Sequence, residues 1–141
     1  MAFPYRKILC PLDFTENSLR ALDKAVEIAR HFGAAMILVH AIPLVAQLGD
    51  FPMPADVYRA QEKAAGVKLG EIAAQKLGGV KHEPVVFIGD VVGGILQAVD
   101  QFKPDLLVMA THGRSGLAHL FLGSVAEAVV RKANCPVLTI R

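Results

Sequence analysis

Leu106-Leu-Val-Met-Ala-Thr-His-Gly-Arg-Ser-Gly-Leu-Ala-His-Leu-Phe-Leu-Gly-Ser124 is the stretch from which the fold is read. It opens on a short apolar run suited to a strand buried on both faces. It then crosses a polar loop with glycines at 113, 116 and 123 and reaches Ser124, where a helical pattern begins. A phosphate needs backbone amides that converge on it with no Cβ in the way, and a helix N-terminus adds free N–H groups and a favourable dipole. Gly113, Gly123 and the helix start at Ser124 are the residues expected to supply them.

Outward from this stretch the same alternation continues in both directions. Strands are expected at 7–12, 35–41, 84–88, 106–111 and 136–141, and helices at 16–32, 55–77, 91–102 and from 124. Strand and helix in turn indicate an α/β class with a parallel sheet and crossover helices. In the first helix Leu19, Leu22, Val26 and Ala29 fall on one face, and Gly33 ends it. Gly78-Gly79 ends the second helix, and Asp90 is a candidate N-cap for the third. Ser124-Val-Ala-Glu127 matches a capping box, in which the Ser124 hydroxyl and Glu127 carboxylate satisfy free amides. The final apolar strand has an edge that invites pairing with a second copy of the chain.

Composition narrows the function. The 141 residues fit one domain with one core, and 53% of them are hydrophobic with few aromatics. A net charge of +2, with Lys and Arg scattered, leaves no basic stripe for nucleic acid. Cys10 and Cys135 lack metal-ligand spacing and read as small buried hydrophobes of a reducing, cytoplasmic setting. The N-terminal residues lack the apolar run of a signal peptide. The uncharged stretch 32–49 is broken by Gly33, His40, Pro43 and Gln47, so it reads as a strand and loop rather than a membrane span.

In open α/β sheets ligands sit beyond the carboxyl ends of the strands where the winding reverses, so Asp13 and Gly113 would share a crevice if the first and fourth strands are neighbours. Asp13 equally suits a cap or a turn before the first helix. His112 and His119 lack companions at ligand spacing and read as exposed loop residues, while His40 reads as a hydrogen-bonded, partly buried strand residue. The loop 42–54, with three prolines, reads as a cover for the sheet or for a dimer, or as a partner surface.

Over essentially its whole length the chain resembles the universal stress protein superfamily. That family's nucleotide-binding branch carries a glycine, two residues, a second glycine, nine residues, then glycine and serine or threonine. Gly113, the nine residues 114–122, Gly123 and Ser124 match the later part, and Ala110 stands at the first glycine. Alanine suits that place where φ is ordinary and no phosphate comes very close.

The resemblance implies a Rossmann-like fold of the adenine nucleotide alpha hydrolase type. It would have three α/β/α layers and five parallel strands in the order 3-2-1-4-5. It also implies an ATP-binding protein with the adenosine near Pro11, Leu12, Asp13 and Ala41. The ribose and phosphates would lie along Met109, Ala110, Gly113, Arg114, Gly123, Ser124 and Val125, with Mg²⁺ held mainly by the phosphates. The exposed edge of the last strand adds a homodimer through that strand as the expected working form, with an unidentified protein as possible partner. The Gly-x-x-x-x-Gly-Lys-Ser/Thr string of fast ATPases does not occur, so nucleotide-dependent regulation leads. Slow hydrolysis or autophosphorylation, and a nucleotide-free dimeric interaction module, are the alternatives.

Overall fold

The computed structural model describes residues 3–44, 54–112 and 122–141. In chain order the elements are β1 (Lys7–Pro11), α1 (Glu16–Phe32), β2 (Ala35–Ile42), α2 (Ala55–Lys76) and β3 (His82–Ile88). They continue with α3 (Val91–Phe102), β4 (Leu106–Ala110), α4 (Ser124–Lys132) and β5 (Val137–Ile140). The five strands form one parallel sheet in the order β3-β2-β1-β4-β5, as expected. β1 is therefore central, flanked by β2 and β4, and the winding reverses between β1 and β4.

Side chains of successive strand residues leave opposite faces, and each face has its own apolar layer. Ile8 and Cys10 of β1 pack with Leu22 and Val26 of α1 and with Leu69 and Ile72 of α2. Leu9 packs with Ile95 and Val99 of α3 and with Ala126 and Val129 of α4. This two-sided burial explains why the central strands read as continuous apolar runs.

Helix ends follow local chemistry. Thr15 caps α1, its hydroxyl accepting from the Ser18 N–H at 3.3 Å, and Gly33 closes the helix with φ of 68°. Asp90 caps α3, accepting from the Gly93 N–H at 2.7 Å. In α2 the first two turns are largely exposed, and the helix is anchored further on by Leu69, Ile72 and Ala73. Arg30 of α1 donates to the carbonyls of Lys76 and Gly78 at 3.1 and 3.2 Å, holding the C-terminal end of α2.

Two sequence readings are corrected. β3 begins at His82 rather than at Pro84; among the described residues it pairs with β2 alone, and an edge strand accommodates a residue without an N–H. The capping box at Ser124 does not form. Gly123 is the N-cap, no side chain caps α4 among the described residues, and Ser124 is already the first helical residue. Glu127 is one position too far along to reach back, and its carboxylate pairs with Arg131 at 2.7 Å. Residues 45–53 of the proline-rich loop lie outside the described residues, and so does the loop's expected role as a cover or partner surface.

Candidate functional site

A cavity of about 230 Å³ opens at the carboxyl ends of β1, β2 and β4, against the start of α4. Nine of the residues singled out from sequence line it: Pro11, Leu12, Asp13, Ala41, Met109, Ala110, Gly123, Ser124 and Val125. Gly113 and Arg114 lie outside the described residues, as does His119.

One wall is apolar, built from Val39 and Ala41 of β2, Val91 and Ile95 of α3, and Met109 of β4. Val39 and Ala41 are two residues apart in a strand and so share a face. Polar groups enter from the ends of the strands, and Asp13 is the lining residue with a formal charge; no lysine or arginine lines the cavity among the described residues.

Asp13 holds the β1–α1 turn. Its Oδ1 accepts from the Thr15 N–H at 3.0 Å and from the Thr15 hydroxyl. Thr15 and not Asp13 caps α1, so of the cap and turn readings of Asp13 the turn stands; it is compatible with a ligand contact because a carboxylate offers about four acceptor positions.

At the α4 end, Gly123 acts differently from expectation. Its N–H already donates to the Thr111 carbonyl at 2.7 Å, so that amide is committed to closing the loop. Its φ is −68°, open to any residue. What glycine provides is clearance, since a Cβ would lie 3.2 Å from the Thr111 carbonyl oxygen. The first helical bond of α4 runs from the Glu127 N–H to the Gly123 carbonyl at 2.9 Å. The amides of Ser124, Val125 and Ala126 thus precede the helical ladder and face the end where a negative group is favoured. Ala110 is the last residue of β4 and has no positive φ, so alanine fits this place without backbone strain.

His112 is corrected from an exposed loop residue to a half-buried residue of the cavity lining. Its Nδ1 lies 3.1 Å from the Thr111 hydroxyl, while its Nε2 is buried with no hydrogen-bond partner among the described residues. Sequence reading also passed over Ser18, Val39, Pro43, Val91, Ile95, Thr111 and Ala126, which line the cavity too. The two-residue period of β2 signals Val39 once Ala41 is chosen, whereas Val91 and Ile95 come into play only when α3 is docked beside the strand ends.

Cys10, immediately before Pro11, is turned to the other face, and burial pushes its thiol up to about 12. No thiolate therefore stands beside the cavity near neutral pH. Among the described residues no group of three His, Cys, Asp or Glu side chains is arranged to hold a metal ion, and no helix is long and apolar enough to cross a membrane.

The family model of the universal stress proteins matches residues 4–141. The chain belongs to the universal stress protein family. A universal stress protein of Thermus aquaticus is 35% identical, over 97% of this chain and 99% of its own length. One from Methanocaldococcus jannaschii is 32% identical, over 97% of this chain and 82% of its own. Among solved structures, a universal stress protein in complex with cAMP is 28% identical with a TM-score of 0.67, and the match spans 97% of both chains. The universal stress protein fold thus accounts for the whole described chain, and the cavity lies at its point of reversed winding.

Proposed function

We propose that this universal stress protein binds an adenine nucleotide, with ATP as the leading ligand, and works as a nucleotide-dependent regulatory factor. The observation that carries the proposal is the convergence of Asp13, the apolar wall of β2 and α3, and the uncapped first turn of α4 on one cavity. An apolar slot suits a purine ring. A carboxylate suits the hydroxyls of a ribose, and helix-start amides suit phosphate oxygens. The related protein solved with cAMP gives independent support for an adenine nucleotide as the ligand class.

In this reading Pro11, Leu12, Asp13 and Ala41 hold the adenosine. Met109, Ala110, Gly113, Arg114, Gly123, Ser124 and Val125 surround the ribose and phosphates. Mg²⁺, where present, is held mainly by the phosphates. The cavity carries the Ser124 and Thr111 hydroxyls and the His112 imidazole, but the sequence lacks the Gly-x-x-x-x-Gly-Lys-Ser/Thr string of fast ATPases, which favours occupancy over turnover as the working signal. The protein acts in the cytoplasm as a homodimer through β5, and occupancy alters its contacts with itself or with a protein partner.

Denaturing freshly purified protein and identifying the released small molecules tests this reading. An adenine nucleotide in the supernatant is the expected result, with ATP, ADP and AMP rebinding to the stripped protein. Failure of all three to bind, with and without Mg²⁺, refutes it.

A further inference from the structure

On the sheet face opposite the apolar wall, side chains from three elements form one stack. The rings of Phe14, in the β1–α1 turn, and His40, in β2, lie 25° from parallel with centroids 4.2 Å apart. Lys68 of α2 places its Nζ 4.9 Å from the Phe14 ring centroid. His40 is 6% exposed, and its Nδ1 lies 2.7 Å from the Leu12 carbonyl oxygen. A carbonyl only accepts, so Nδ1 carries a proton and donates it to that bond.

The backbone of Phe14 makes this stack more than packing. Its φ is 65°, in the left-handed region that a bulky side chain rarely adopts. Among the described residues the other such non-glycine residue is Lys103, at a helix C-cap where this conformation is ordinary. A bulky residue is held left-handed only where its surroundings over-determine it. The left-handed step at residue 14 turns the chain so that Asp13 Oδ1 can accept from Thr15, while the Leu12 N–H donates to the Val39 carbonyl at 2.7 Å. The turn geometry alone favours glycine at this place. The ring is accounted for by its stacking on His40 and its packing against the core on that face.

We infer that His40 and Phe14 are positioning residues of the ligand site, clamping from behind the Leu12–Asp13 segment that lines the cavity. His40 lies between Val39 and Ala41, whose side chains line that cavity. One segment of β2 therefore forms the wall on one face and braces the adjoining turn from the other. Through Lys68 the brace reaches α2, a helix that contributes no residue to the cavity. The ligand consequence rests on the nucleotide-binding reading above; the brace itself does not.

The test uses two readouts on the full chain, amide hydrogen exchange at Thr15 in the ligand-free protein and ATP affinity by calorimetry. Phe14→Gly relieves the backbone cost and removes the ring. His40→Leu removes the ring and the donor, and His40→Asn places an amide donor near the former Nδ1. Phe14→Gly and His40→Leu are expected to speed Thr15 exchange about tenfold, after correction for intrinsic rates, and to weaken ATP binding about tenfold, the scale of one lost hydrogen bond. His40→Asn is expected to recover most of both.

Wild-type exchange and wild-type affinity in Phe14→Gly would overturn the inference, as would equal losses in His40→Asn and His40→Leu. If His40→Leu does not fold, Phe14→Gly decides by the same readouts. If the wild-type chain binds no adenine nucleotide, the nucleotide reading falls while Thr15 exchange still decides the brace.

Discussion

Gly123 illustrates how one residue combines geometry with chemistry. Its value lies in the missing Cβ beside the Thr111 carbonyl and not in its φ. Gly123→Val is expected to leave the fold intact by circular dichroism. It should push the α4 start away from the end of β4, weakening ATP about tenfold or more, a loss of at least about 1.4 kcal/mol; unchanged affinity would remove the loop from the site. Cys10 carries a pH prediction. Its thiol, raised from 9.0 to about 12 by burial, keeps its proton in the folded chain after the unfolded chain has lost it. Its contribution to stability is therefore full below about pH 9 and is lost progressively as pH climbs towards 12. Chemical unfolding between pH 8 and 11 should show this decline in the wild type and a smaller one in Cys10→Ala. An equal decline in both would contradict it.

Among the elements, α3 and α4 begin by different means. α3 has a side-chain cap in Asp90 and packs Gly94 directly under the Phe87 ring, where a Cβ would sit 1.7 Å from a ring carbon. α4 has no side-chain cap and leaves its first turn facing the cavity. Asp90→Ala should therefore cost about 1 kcal/mol of stability, whereas Ser124→Ala should stay within about 0.5 kcal/mol, both measured by denaturant unfolding. A large loss in Ser124→Ala would restore the capping reading.

The limits of α1 and α3 were legible because Gly33 and Asp90 are local signals. The start of α4 was legible too, but its cap was not, since Ser-x-x-Glu fits equally with the serine one step inside the helix. The brace behind Asp13 was illegible for another reason: it depends on β2, α2 and the β1–α1 turn meeting in space.

The whole molecule presents β5 as a sheet edge, with Leu138 37% exposed on that strand and Val130 44% exposed on α4. If this edge joins two copies, Leu138→Asp should convert a dimer into a monomer in analytical ultracentrifugation; a wild-type monomer, or a variant that remains dimeric, would contradict that arrangement. The strand order was foreseen through family resemblance and not through periodicity. Alternation of strands and helices defines the α/β class, but the family pattern around Gly113 and Gly123 was needed to place β1 beside β4. That adjacency brings Asp13 and Ser124, more than a hundred residues apart in sequence, to one cavity.

The central claim is that this cavity takes an adenine nucleotide, and calorimetric titration of ATP into nucleotide-stripped protein tests it most directly. Saturable binding of one ATP per chain, weakened in Gly123→Val, is the predicted result. Absence of binding by folded wild-type protein, with and without Mg²⁺, would contradict the claim.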